Sequence, residues 1–310
     1  MELSKKSSKV AILVVGPTAI GKTILAVRLA SQYKTEIISA DSRQFFRELN
    51  VGTAKPDDLQ LIAIKHHFIN SHSITDNYNA GMFERDALKK LEDIFSSNSF
   101  SIIVGGSGMY INALCYGLDE IPEVPESIRE KINRKLLDKG LDYLTMELEI
   151  LDPTYFKSVD LKNTQRIIRA LEVIEFTGER FSSFINKKKI KKRPFKMIKV
   201  GLEIDREELY RNINQRMDIM IERGLFEEAE KLYPFKNLYA LQTVGYTEIF
   251  DYLDGRYNKD EAISLLKRNS RRYAKRQLTW FKKDQSIPWF KPHDVTGIDE
   301  YISSKVKDTE

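Results

Sequence analysis

Eight residues near the amino terminus, Gly16, Pro17, Thr18, Ala19, Ile20, Gly21, Lys22 and Thr23, have the identities and spacing of a P-loop. The glycines let backbone N–H groups curl around an anion, Lys22 adds a mobile positive charge, and the Thr23 hydroxyl suits Mg²⁺. Such a set grips a phosphate chain without saying whether it is a diphosphate or a triphosphate. The plain alternative is a tight strand-to-helix turn with no ligand. Against it stand an aliphatic run at 10–15 leading in and a helical pattern at 23–33 leading out, which place the loop at a helix N-terminus where anions bind.

An acid is expected nearby. P-loop hydrolases usually end a later buried strand with a metal-binding Asp, but the apolar run at 101–104 leads into Gly105, Gly106, Ser107 and Gly108. The acid follows the second apolar run instead, as Asp41, at the carboxyl end where ligands of open α/β sheets gather. Chemistry alone leaves it two roles, general base or Mg²⁺ ligand. Arg216 is a further candidate. At 100° per residue from Leu209 it falls at about −20°, beside Met220 near 20° and Ile213 near 40°, inside an apolar stripe. A charge there is costly unless paired, so its partner is either a bound anion or a buried carboxylate.

The elements that must carry these groups read as alternating strands and helices. Apolar runs at 10–15, 36–40 and 101–104 are separated by helical stretches at 23–33 and 80–95, the order of a doubly wound parallel sheet. From about Asp119 the chain turns helical, with no strand-like run up to Ile185. There Asn163 is placed to cap a helix that carries Ile167, Ile168, Leu171 and Ile174 on one face and ends near Gly178, with Arg166 and Arg169 off that face. A basic linker at 187–193 closes the excursion, strand character resumes at 199–204, and Asp205 is placed to cap a long helix. With 310 residues the chain exceeds what one core usually holds, so two domains are expected: 1–118 with 194–310, and an all-helical insertion at 119–193.

A last helix starts near Asn258, with Glu261 at the capping-box position. Relative to Leu265, residues Arg268, Arg271, Arg272 and Lys275 span an arc of about 100°, a basic stripe that is either a solvated face or a nucleic-acid contact. One cysteine, Cys115, leaves no internal disulfide and no thiolate zinc site, and no apolar run approaches membrane length, so a cytoplasmic, non-membrane protein is expected. His66, His67 and His72 lack a Cys or acid at ligand spacing, which disfavours a metal site there.

Taken in order, the blocks at 16–23 (GPTAIGKT), 39–44 (SADSRQ), 52–56 (GTAKP), 104–110 (VGGSGMY), 163–173 (NTQRIIRALEV), 242–248 (QTVGYTE) and 274–283 (AKRQLTWFKK) resemble the tRNA dimethylallyltransferase (IPP transferase) family over nearly the whole chain. Ile20, Phe46 and Ser107 depart from the family's commoner residues, and none of the three removes a needed functional group. A single cysteine leaves no material for the zinc finger of eukaryotic relatives, so the resemblance is to a bacterial-type enzyme.

The resemblance implies a P-loop NTPase-like parallel sheet flanked by helices, with a helical insertion. It implies dimethylallyl transfer from dimethylallyl diphosphate to N6 of the adenosine just 3′ of the anticodon, with Mg²⁺ and release of diphosphate. It favours Asp41 as base and Arg216 as diphosphate ligand, and adds Ser107, with Lys22 and Thr23, at the leaving oxygen. The anticodon stem-loop of tRNA is then contacted by Asp41, Ser42, Arg43, Gln44 and Ser107, and by Gln242, Thr243, Val244, Gly245, Tyr246 and Thr247. On the last helix the contacts are Arg268, Arg271, Arg272, Lys275 and Arg276, and on the insertion Arg129, Gln165, Arg166, Ile167, Ile168 and Arg169. Tyr246 offers a base an aromatic face, or is simply core. A monomer is expected. Two enzymatic rivals share the P-loop: a nucleoside or nucleotide kinase, and an adenylate dimethylallyltransferase acting on free AMP or ADP. A third, non-catalytic rival is an RNA-binding P-loop protein.

Overall fold

The strand β1 (Val10–Val15) is six aliphatic residues in a row, and all six are buried. Successive side chains of a strand point to opposite faces, so Ala11, Leu13 and Val15 enter one apolar core while Val10, Ile12 and Val14 enter another. A strand buried on both faces belongs inside a parallel sheet covered by helices. In the computed structural model, which describes residues 9–185 and 191–308, that is its place.

After β1 come α1 (Lys22–Gln32), β2 (Ile37–Ser39), α2 (Asp58–Ala63), β3 (His66–His67), α3 (Ala80–Ser97), β4 (Phe100–Gly105) and α4 (Gly108–Tyr116). Three helices follow, α5 (Glu126–Leu151), α6 (Pro153–Phe156) and α7 (Thr164–Thr177). The chain then continues through β5 (Lys196–Leu202), α8 (Arg206–Glu222), α9 (Leu225–Leu232), α10 (Thr247–Leu253), α11 (Lys259–Phe281), β6 (Trp289–Phe290) and α12 (Val295–Lys307). The six strands form one sheet in the order β3-β2-β4-β1-β5-β6, parallel at every pairing. β1 is held in register by β4 on one side, Val10 opposite Phe100, and by β5 on the other, Val10 opposite Lys196.

The chain divides into two compact units, 1–116 with 192–310, and 117–191. In the first, α3 and α4 cover one face of the sheet, and α1, α8 and α12 supply the core of the other. A third cluster, built from α9, α10 and the first turns of α11 with Phe46, Leu49 and Met217, packs separately. The second unit has its own core, formed by Ile132, Leu144 and Leu148 of α5 and by the apolar face of α7. The caps of α7 are the expected ones: the Asn163 side chain accepts from Arg166 N, and Gly178 closes the helix at φ 73°. α5 bends at Gly140, whose φ of 80° lies outside the helical range.

Some expectations shift. β2 is shorter than the run at 36–40, and β5 begins three residues before the expected 199. Asp205 is the N-cap of α8 but makes no side-chain capping bond. The basic linker is described only from Lys191, residues 187–190 lying outside the described residues. Its Arg193 is a structural cation: it donates to Leu114 O (2.8 Å) and Ala113 O (2.7 Å) at the end of α4 and pairs with Glu84 (2.7 Å). Among the described residues no helix is long and apolar enough to cross a membrane.

Candidate functional site

The carboxyl ends of β1, β2 and β4 deliver three loops to one place. β1 feeds the phosphate loop at 16–21, β2 feeds Asp41, and β4 feeds the glycine-rich turn at 105–108. Two glycines allow close backbone approaches here, Gly16 to the end of β5 and Gly105 to the residue before Asp41. A Cβ on Gly16, at φ 152°, would lie 2.9 Å from Leu202 O, and one on Gly105 would lie 2.3 Å from Ala40 O.

Lys22 opens α1 and donates from Nζ to Pro17 O at 2.7 Å. Burial lowers its pKa to about 8, with the Asp41 charge opposing and the Arg216 charge adding to the shift. Arg216 comes in from α8, its pKa lowered by burial with Asp41 opposing, and its guanidinium reaches Ala54 O at 3.5 Å. Among the described residues neither Lys22 nor Arg216 has a carboxylate within ion-pair distance. Of the two partners open to Arg216, the buried carboxylate is therefore absent among the described residues.

Lys22, Thr23, Asp41 and Arg216 line a common cavity with Thr18 and Ala19. Its wall also includes Ile213, Met217, Met220, Leu225, Val244 and Ala54. The cavity thus joins an anion cradle to an apolar pocket of aliphatic and thioether side chains. Asp41 is oriented by its own turn, Oδ1 accepting from Arg43 N at 3.1 Å. Its neighbour Ser42 is held by Ser107, whose hydroxyl accepts from Ser42 N (2.9 Å) and donates to Ser42 Oγ (3.1 Å).

Several expected residues do other work. Ser107 is buried and is not among the cavity's lining residues; its hydroxyl bonds Ser42 and the Tyr273 phenol, so it helps to fix the loop that carries Asp41. Gln44 is buried and lines the cavity; its Oε1 accepts from Ser39 (3.1 Å) and its Nε2 donates to Thr53 O (3.3 Å) and Ala54 O (3.2 Å), which ties the amide to the loop at 52–54. Tyr246 offers no stacking face, being 0% exposed, with its hydroxyl donated to Glu228 at 2.6 Å. The same Glu228 carboxylate accepts from the backbone N–H groups of Asn50, Val51 and Gly52, fixing the loop whose Gly52, Thr53 and Ala54 line the cavity. Thr243, Val244 and Gly245 reach the cavity wall, Gln242 is exposed, and Thr247 donates back to Thr243 O.

On α11, Arg268, Arg272, Lys275 and Arg276 are exposed, whereas Arg271 turns aside to donate to Asn214 at 2.7 Å. Arg43 is half-buried, its guanidinium 5.1 Å from the Tyr239 ring centroid. In the helical unit, Gln165 and Arg166 are exposed, but Ile167 and Ile168 are core, at 0% and 5% exposure, and cannot present side chains to a ligand. Arg129 and Arg169 both pair with Glu172, at 2.9 and 3.4 Å. Among the described residues no group of three or more His, Cys, Asp or Glu side chains is placed to hold a metal ion.

A family profile described as IPP transferase matches residues 44–284. The chain belongs to the IPP transferase family. Within it, a protein of Christiangramia forsetii described as tRNA dimethylallyltransferase is 51% identical over 296 residues, covering 95% of this chain and 98% of its own. One of Cytophaga hutchinsonii with the same description is 48% identical over 301 residues, covering 97% and 99%. Among solved structures, the full-length tRNA isopentenylpyrophosphate transferase of Bacillus halodurans superposes with a TM-score of 0.71 at 35% identity, covering 97% of each chain. A eukaryotic dimethylallyltransferase acting on tRNA superposes at 0.76 with 25% identity, covering 96% of this chain and 77% of that one.

Residues not singled out from the sequence complete the site. Tyr273 and Gln277 of α11 line the cavity, as do Met217 and Leu225. Burial and the nearby Asp41 charge raise the Tyr273 phenol well above its ordinary pKa, keeping it a neutral hydroxyl beside the acid. For Met217 a signal existed: it adjoins Arg216 on the same apolar stripe of α8.

Proposed function

We propose that the protein transfers the dimethylallyl group of dimethylallyl diphosphate to N6 of the adenosine just 3′ of the anticodon in tRNA, releasing diphosphate. One observation carries the reading: two cations without a carboxylate partner, Lys22 and Arg216, and one acid, Asp41, share a cavity with Ile213, Met217, Met220, Leu225 and Val244. That combination suits an anion with a short branched apolar tail. The apolar residues exclude water from the five-carbon chain, and the cations take the charged end.

In the transfer, a C–N bond forms at N6 as the allylic C–O bond breaks. Negative charge grows on the departing oxygen, and Lys22 and Arg216, preorganised with the loop amides, stabilise it. The adenine amine is a poor nucleophile until it loses a proton, and the Asp41 carboxylate, which lines the same cavity, accepts that proton. A hard cation fits the donor set at Thr23, a residue that lines both this cavity and a second one sharing Ala19, Lys22, Ala54 and Arg216 with it, and whose hydroxyl suits an ion carried mainly by diphosphate oxygens and water. Mg²⁺ held at Thr23 would supply further positive charge to the leaving group.

The base must leave its stack to reach the cavity, at a cost of a few kcal/mol, and contacts to the rest of the RNA offset it. The exposed face of α11, with Arg268, Arg272, Lys275 and Arg276, suits the phosphate backbone, as do Arg43 and, on the helical unit, Arg166. The reading is tested by incubating tRNA with the protein, dimethylallyl diphosphate and Mg²⁺ and analysing its nucleosides by mass spectrometry. One adenosine gaining a C5H8 unit is expected; unaltered nucleosides would overturn it.

A further inference from the structure

The buried face of α11 is apolar at Ala274 and Phe281 but carries Gln277 between them, 6% exposed. Its Oε1 accepts from Thr18 N in the phosphate loop at 2.9 Å, and its Nε2 donates to Gly106 O in the loop after β4 at 3.0 Å. The amide's orientation is forced, because a backbone N–H only donates and a backbone C=O only accepts. Gly106 is matched to it, since a Cβ there would lie 2.2 Å from Nε2.

From Gly106 the chain runs directly into Ser107, which holds Ser42 by two hydrogen bonds, and Ser42 follows Asp41. We infer that Gln277 is a positioning residue, a spacer whose one amide sets the separation between the diphosphate cradle and the loop that carries the base. This rests on the proposed transfer, in which the leaving oxygen lies at the cradle and the attacking nitrogen at Asp41. An in-line displacement is sensitive to that separation, because a misplacement of about 1 Å costs on the order of 10²-fold in rate. A carboxylate at 277 could accept from Thr18 N but not donate to Gly106 O, and Asn is one methylene too short to span both.

Two variants test it, Gln277→Met, which is uncharged and makes neither bond, and Gln277→Glu, which keeps only the bond to Thr18. The first readout needs no substrate: hydrogen exchange at the Ser42 amide, which bonds Ser107 and not Gln277 itself. Exchange there is expected to speed up by at least about tenfold in both variants, with the fold intact by circular dichroism. Unchanged protection at Ser42 overturns the inference, whether or not the protein proves to be a prenyltransferase. The second readout is the single-turnover rate on tRNA beside the binding of inorganic diphosphate. A rate lowered by about 10²-fold, with diphosphate affinity changed by less than about tenfold, is expected. A loss of rate that merely follows a loss of diphosphate affinity, or of melting temperature, overturns the spacer role.

Discussion

Lys22 and Arg216 in the sheet unit and Arg129 and Arg169 in the helical unit are four cations carried on helices, yet only the second pair has a carboxylate. Glu172 is 0% exposed and takes both arginines, which raises the Arg129 pKa through the hydrogen bond between them. Lys22 and Arg216 face a cavity, and burial lowers their pKa values although the Asp41 charge opposes the shift, no carboxylate lying within ion-pair distance of either among the described residues. A buried cation without a partner is costly to keep in a fold, so its retention points to a ligand, whereas a cation locked onto a buried acid points to folding. The same residue type therefore says different things in the two units, and partners decide which.

The sharpest way to break this contrast is at the acid facing the unpaired cations. Asp41→Asn is expected to lower the single-turnover rate by about 10² to 10⁴ while diphosphate still binds; a wild-type rate would remove Asp41 as base. Arg216→Ala comes next, with a loss of about 10² to 10³ in turnover. If that loss proved no larger than for Arg129→Ala, the paired and unpaired cations would not differ in function.

Lys22 sharpens the comparison through pH. With its pKa lowered to about 8, it holds a proton below that pH and loses it above. Binding of dimethylallyl diphosphate, measured by calorimetry, should be flat in this respect below about pH 8 and weaken by up to about tenfold per pH unit above it. Lys22→Arg, which stays charged, should abolish the dependence; its persistence would assign the titration elsewhere.

A smaller effect is expected on the open face of α11. Replacing Arg268, Arg272 and Lys275 with Ala should reduce the log–log salt dependence of tRNA binding by roughly 0.7 to 0.9 per lost phosphate contact. An unchanged slope would make that face merely solvated. Smallest is Arg129→Ala. Arg129 is half-exposed and Arg169 remains, so the expected cost, by urea unfolding, is about 1–2 kcal/mol, below the roughly 3–5 of a fully broken buried pair. Unchanged stability with weakened tRNA binding would reverse the assignment of Arg129 to the fold.

What the sequence disclosed was whatever depends on neighbours a few residues away. β1 matches the aliphatic run at 10–15, and α7 the interval from Asn163 to Gly178, because strand burial and helix caps are written locally. The turn at 16–21 between β1 and α1 and the place of Asp41 after β2 were legible for the same reason. β3 and β6, two residues each, carry no periodicity and exist only through pairing with β2 and β5. Ile167 and Ile168 were given both a core face and an RNA contact, and their side chains are buried in the core of the helical unit. Tyr246, Gln44 and Gln277 could not be placed, because their partners Glu228, Thr53 and Thr18 are distant in sequence or specified only by the fold. A lone glutamine on a helix gives no sign of which two loops it will join.

The position of β1 between β4 and β5 also has a consequence for biosynthesis. One edge of β1 can be covered once residue 105 has left the ribosome, but the other waits for residues 196–202. At about 5–20 residues per second, that edge stays bare for about 5–20 seconds after its first partner has arrived. The all-helical segment emerges in the meantime and, rich in local contacts, can settle early, while the nascent sheet still presents an unpaired aliphatic strand. Chaperone dependence in this protein should therefore trace to the interval before β5 is made, and slowing translation there should lower the yield of soluble chain more than slowing it after residue 202.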